Sequence, residues 1–250
     1  MKRTSFILLL GCCVLASCQD AGLLHYWDRH AIEVEDYSKS RDTFVEFAEL
    51  TAKAPQAKAE QALDALMDKL VVGNEVDYYI YSEWLTAAYH SILSPCRNPG
   101  LFARFVSRLQ TDGIMTEDDY APLAELAAKD MLNLPGTGCE IPELLDASGA
   151  PAPWTPGKET LFLVLNLDCA TCVAALRALS TEPGEHIALC FGRTPPPAVP
   201  GWQFRYSDSL ESVFDLEAAP FWFTVDAAGK VVKPLTPAPD ISSFATPEKQ

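Results

Sequence analysis

Positive charge is scarce in this 250-residue sequence, where 19 lysines and arginines face 34 aspartates and glutamates for a net charge of −15. No basic cluster breaks the acidic excess, and without one to neutralise phosphates a nucleic-acid-binding function is excluded. Long apolar runs are lacking as well. The stretch from Phe6 to Val14 falls well short of the roughly 20 residues that span a bilayer, which argues against a permanent transmembrane helix. Histidine is limited to His25, His30, His90 and His186, scattered along the chain, and there is one CxxC pair with no second. Zinc normally takes four ligands, so no metal site is expected. No internal repeat is present, which sets aside solenoid architectures.

What is present begins at the N-terminus. Lys2 and Arg3 precede the apolar stretch, and Leu15-Ala16-Ser17-Cys18 follows it: a charged region, a hydrophobic region and small residues before a cut. These four residues resemble the lipobox of bacterial lipoproteins. The resemblance implies cleavage before Cys18 and diacylglycerol on its thiol, so that residues 1–17 are a signal peptide, 18–28 a tether, and lipidated Cys18 the membrane contact. The expected location is then the cell envelope, anchored to the inner or outer membrane and facing the periplasm or the exterior. His25 and His30 are expected to be solvated in the tether. Removing residues 1–17 deletes two basic residues and no acidic ones, leaving a mature charge of −17. Cys96, Cys139, Cys169, Cys172 and Cys190 remain in a compartment where disulfides persist. Cys96 and Cys139 could bridge or stay as separate thiols; Cys190, in mid-strand, reads as a small core residue.

The mature chain has two halves. Over 29–135 apolar residues recur at helical spacing. Phe44, Phe47, Ala48 and Leu50 mark a first helix, and Ala59, Ala62, Leu63, Leu66, Leu70 and Val71 a second, opened by Pro55 and ended by Gly73-Asn74. A third is expected from Glu75 to Leu93, its Tyr78, Tyr81, Trp84 and Tyr89 forming a packed aromatic cluster; a fourth runs from Gly100 to Leu109. A fifth is expected to continue to Leu132, with Thr116 as N-cap and Asp118-Asp119 at the positive end of the dipole. This is an all-α helical bundle.

Over 138–246 the pattern changes. Leu161-Phe162-Leu163-Val164-Leu165 is a strand buried on both faces, a short helix follows through Val173, Leu176 and Leu179, and Ile187 to Phe191 is a second buried strand. Strand, helix, strand at this length is a parallel crossover. Thr194 to Pro200 must be a loop, and Phe221 to Val225 with Val231 to Lys233 flank a turn as a β-hairpin. The fold class expected is therefore α+β in two domains, a helical bundle and then an α/β sandwich with an antiparallel edge.

Cys169-Ala170-Thr171-Cys172 falls just past the first strand, where the helix starts. A CxxC alone is weak, since roughly 0.25 arise by chance in a chain of this length and cysteine content. Its position gives it weight. Unpaired amides at a helix N-terminus stabilise a thiolate, and spacing of three puts Cys172 one turn later on the same face, where it can attack a mixed disulfide on Cys169.

With Ala218-Ala219-Pro220-Phe221-Trp222-Phe223 and Gly229-Lys230-Val231 in order after it, this half resembles the thioredoxin superfamily, in particular TlpA/ResA-like thiol-disulfide oxidoreductases. The resemblance implies a thioredoxin-like fold, Cys169 as nucleophile, Cys172 as resolving thiol, Pro220 as a cis-proline facing them, and Ala219 offering backbone hydrogen bonds to a substrate strand. It also implies protein or peptide thiols and disulfides as substrates, an electron donor it does not identify, and no cofactor beyond the Cys169–Cys172 disulfide. Two residues depart from the pattern: Asp168 stands where tryptophan is common, and Leu163 where a polar residue is frequent. A carboxylate beside Cys169 opposes its ionisation, and an apolar strand leaves proton transfer at Cys172 to another group or water. Ala170-Thr171 adds no cation or histidine, which favours a reductase. The alternative is a redox-inactive binding or assembly module on the same fold. The helical half resembles the uncharacterised domain preceding thioredoxin-like domains in some Gram-negative lipoproteins, through Ser94-Pro95-Cys96-Arg97-Asn98-Pro99 and Phe102, which implies a docking or recruiting role.

Overall fold

The computed structural model describes residues 22–192 and 194–239, and the chain divides into two compact units, Met1–Ala127 and Ala128–Gln250. Cys18 and the signal segment lie outside the described residues. No helix among the described residues is long and apolar enough to cross a membrane.

Beyond residue 24, the described residues of the first unit form five α-helices: α1 (Tyr37–Lys53), α2 (Gln56–Val71), α3 (Glu75–Tyr89), α4 (Pro99–Asp112) and α5 (Glu117–Asp130), the last running across the unit boundary. Four of the five starts have a local side-chain partner, and α2 follows Pro55 without one. Asp36, Asn74 and Asn98 accept from the N–H groups of Lys39, Asp77 and Leu101, satisfying donors the helix cannot pair. At α5 the Thr116 N–H and hydroxyl both donate to the Asp119 carboxylate (3.1 and 2.8 Å), so Asp119 reaches back to Thr116 rather than the Thr116 hydroxyl accepting from the helix. Asn74 thus opens α3 rather than closing α2.

The apolar faces meet in one core around Phe47, Leu63, Leu66, Tyr81, Phe102 and Phe105, each fully buried. Two expectations change here. α3 stops at Tyr89, not Leu93, because Asn98 N–H and Arg97 Nε–H donate to the carbonyls of Tyr89 and His90 and turn the chain into α4. The 94–99 motif is therefore a joint between helices. The segment expected as a free tether also contributes Leu23, Tyr26 and Trp27 to the core, since three large apolar side chains gain more from burial than from solvent. His30 is stacked on Tyr26 at 4.2 Å, its Nδ1 bonded to the Tyr26 carbonyl, while His25 is exposed and paired with Asp28.

The second unit is a five-stranded sheet in the order β3-β2-β1-β4-β5, with β1 (Thr160–Asn166), β2 (Glu185–Phe191), β3 (Trp202–Tyr206), β4 (Phe221–Val225) and β5 (Val231–Pro237). β1, β2 and β3 are parallel; β4 and β5 run antiparallel. One strand, β3, goes beyond what the sequence pattern predicts. Its alternation Trp202-Gln203-Phe204-Arg205-Tyr206 is the signal for a half-buried edge, but it follows a proline-rich loop and is short.

Strand alternation separates the two faces of β1. Leu161, Leu163 and Leu165 pack with Leu176 and Leu179 of α6 (Ala170–Leu179). On the other face Phe162 stacks on Phe223 at 5.1 Å, with Phe214 and Trp154 around them. Phe214, just after the Leu210–Ser212 turn, and Trp154 thus pack their rings on that face. The β4–β5 turn is the expected hairpin, its Asp226 carboxylate accepting from Ala228 and Lys230 N–H at 2.9 Å each.

Candidate redox site

β1 ends at Asn166, the two-residue turn Leu167-Asp168 follows, and Cys169 becomes the N-cap of α6. Its backbone is extended (φ −105°, ψ 115°), and its sulfur accepts the Cys172 N–H at 3.4 Å. A thiolate at this position meets the unpaired amides and the positive end of the helix dipole. Cys169 is half-buried against the apolar cluster beneath α6, whereas Cys172 is 1% exposed. Burial first, then the hydrogen bond to Cys169, pushes the Cys172 thiol up to about 11. One sulfur is thus presented and the other is held as a thiol, the asymmetry that nucleophile and resolving thiol require.

The Ala219–Pro220 bond is cis. Because β4 runs antiparallel to β1 with Phe221 opposite Val164, Pro220 lies at the C-terminal end of β1, the edge from which Cys169 emerges. Ala219 is extended (φ −66°, ψ 143°), and its N–H already donates to Leu216 O at 3.3 Å. Pro220 O accepts from Ala238 N–H at 3.0 Å. The Ala219 N–H is thus already used within its own turn.

Both departures from the family pattern have a visible environment. Leu163 is fully buried, level with Ala188 on β2 and Trp222 on β4, so the strand beneath α6 is apolar at that level. Asp168 is exposed, and its Oδ1 accepts the Thr194 N–H at 2.9 Å and the Thr194 hydroxyl at 2.6 Å. Its own N–H donates to Asn166 Oδ1 at 2.9 Å. The sequence places Thr194 only in a loop, and nothing local in the chain marks it as a partner of a residue 26 positions earlier.

The remaining thiols are different. Cys96, Cys139 and Cys190 are free, and burial pushes each of them up, Cys139 and Cys190 to about 12. Cys190 is 1% exposed within β2, a core residue as expected. Among the described residues no three histidine, cysteine or acidic side chains converge as metal ligands.

No protein-family model matches the sequence, and no curated protein matches it. Among solved structures, the chain is similar to a thioredoxin-like protein from Bacteroides caccae ATCC 43185, with a TM-score of 0.72 at 15% identity over 90% of this chain and 91% of that one. The sheet unit has a thioredoxin fold. The similarity spans so much of this chain that it takes in most of the helical unit as well, and at this identity it speaks for fold alone. A weaker likeness, to the C-terminal domain of an uncharacterized protein from Bacteroides fragilis, has a TM-score of 0.35 at 18% identity over 45% of this chain and 94% of that one, and carries no argument. The thioredoxin fold accounts for the place of the CxxC pair, past the end of a central strand where parallel α/β sheets gather their sites.

Proposed function

We propose that this chain is an extracytoplasmic thiol-disulfide oxidoreductase, working as a reductase on protein or peptide disulfides and tethered to the membrane through lipidated Cys18. The observation that carries the reading is the Cys169 sulfur capping α6 and accepting the Cys172 N–H, with the second thiol buried one turn on. The Cys169 thiolate attacks one sulfur of a substrate disulfide, forming a mixed disulfide and releasing the other substrate sulfur as a thiolate. Cys172 then gives up its proton, through water to the departing thiolate, and attacks Cys169. The second substrate sulfur leaves, two electrons have passed to the substrate, and the Cys169–Cys172 disulfide remains. An external dithiol restores the pair. The Ala219 carbonyl beside cis-Pro220 is the proposed docking point for the substrate strand.

The direction follows from what does not stabilise the thiolate. Neither Ala170 nor Thr171 is cationic or a histidine, so Cys169 relies on the helix N-terminus, and the dithiol is not favoured as it is in strong oxidants. The test is an equilibrium titration of the pair against dithiothreitol, with insulin disulfide reduction followed in parallel. Wild type oxidises and reduces reversibly; Cys169→Ser loses turnover; Cys172→Ser traps substrate on Cys169 as a mixed disulfide. A pair that never oxidises reversibly, or a Cys169→Ser variant with unchanged turnover, rejects this reading in favour of a redox-inactive module on the same fold.

A further inference from the structure

The turn carrying Cys169 is fastened to the loop after β2 by a small polar cluster. Asn166 Oδ1 accepts the Asp168 N–H, and Asp168 Oδ1 accepts both the N–H and the hydroxyl of Thr194. Gly192 lies against them with φ +100°; a Cβ there would stand 2.6 Å from Asn166 Oδ1 and 3.0 Å from Asp168 Oδ2. Three residue types are thus constrained around one carboxylate: a glycine for the close approach, an amide at the strand end, and a hydroxyl across the loop.

We propose that Asp168, gripped by Thr194, is a charged positioning residue of the redox site, pinning the Cys169 turn to the loop after β2 and opposing ionisation of Cys169 against the pull of the α6 N-terminus. The inference rests on the oxidoreductase reading and gives it a direction. A negative charge one residue from the nucleophile disfavours the thiolate and, with it, the reduced state, so the pair is the readier to give its electrons away. Among the described residues, the other ionisable groups on the strands behind Cys169 have their own engagements: His186 Nε2 is bonded to Glu182 O at 2.9 Å, and Arg205 donates to Phe204 O and Gln203 Oε1. Cys172, Cys190 and Tyr206 are pushed towards their neutral forms by burial, Lys233 lies over the Trp222 ring at 3.6 Å, and Asp215 is turned onto the Glu217 N–H at 3.1 Å.

The experiment compares wild type with Asp168→Asn, which keeps an oxygen to accept from Thr194 but loses the charge, and with Thr194→Val, which keeps the charge but loses one donor. The readouts are the pH midpoint of Cys169 alkylation by iodoacetamide and the equilibrium constant of the pair with dithiothreitol. Asp168→Asn should lower the midpoint by roughly half a unit to one unit, a shift sized for an exposed charge. Above that midpoint it should move the equilibrium towards the dithiol by roughly three- to tenfold, the latter about 30 mV. Thr194→Val should lower the melting temperature without lowering the midpoint. An Asp168→Asn protein that cycles normally with an unchanged midpoint overturns the inference and leaves the oxidoreductase intact; a wild-type pair that does not cycle overturns the function itself.

Discussion

The helical unit and the sheet unit spend their polar groups in opposite ways. In the helices, charges bind one element to another: Arg104 pairs with Asp64, and Arg108 joins Asp64, Asp68 and Asp112, all between or within α2 and α4. The one described cysteine of that unit, Cys96, is buried in the core. In the sheet unit the polar cluster of Asn166, Asp168 and Thr194 holds a turn, and next to that turn a sulfur is left half-exposed. The difference teaches where reactivity is found. A thiol in a packed core is made inert by desolvation, whereas one at a helix N-terminus keeps both access and a stabilised anion.

The sharpest way to break this comparison is to remove one sulfur from each unit. Cys169→Ser should reduce insulin-disulfide turnover to the uncatalysed background, while Cys96→Ser should leave it within about twofold. Equal losses would show that the contrast is false. Next in size, Phe47→Ala should destabilise the helical unit by about 3–5 kcal/mol, because the ring is fully buried among Tyr26, Trp27 and their neighbours. Denaturant melts followed by circular dichroism would measure the loss, and alkylation of Cys169 should keep its native rate. Gly192→Ala combines a left-handed backbone with a close approach to two side-chain oxygens, so a loss of about 2 kcal/mol is expected, together with a changed Cys169 alkylation rate. Stability unchanged in that variant would mean the loop after β2 is not held as described.

The smallest effect at ordinary pH is the linkage of Cys172. Its folded value, about 11, lies above its ordinary 9, so the reduced protein has the full contribution below pH 9 and loses it as pH rises through 11. The oxidised protein carries no proton on Cys172 and should lack this component. Melting temperatures of the two forms, measured from pH 8 to 11, should therefore shift further in the oxidised form's favour as pH rises.

Most of the helices and both central strands were legible because their cause is local. A stripe of apolar residues at helical spacing, an Asn or Asp before it, or a five-residue apolar run can each be read without knowing any partner. Where an element depended on distant neighbours, the reading slipped. Trp202 to Tyr206 becomes a strand through pairing with His186 to Cys190, and Tyr26 and Trp27 are core residues because α1 and α3 present Phe47 and Tyr81 to them. The α3 terminus moved because Arg97 and Asn98, beyond it, capture its last carbonyls.

The sequence by itself determined that Cys169 would stand at the start of a helix behind a buried strand, with Cys172 one turn further, since strand run, cap position and three-residue spacing all belong to a single short segment. Only the tertiary structure decided what surrounds that sulfur. Parallel pairing of β1 with β2 brings their C-terminal ends together, so that Thr194 reaches Asp168, and antiparallel pairing of β4 with β1 carries cis-Pro220 to the same edge. Those neighbours lie tens of residues apart along the chain. Strand order and register join them, and neither is written in any one stretch of residues.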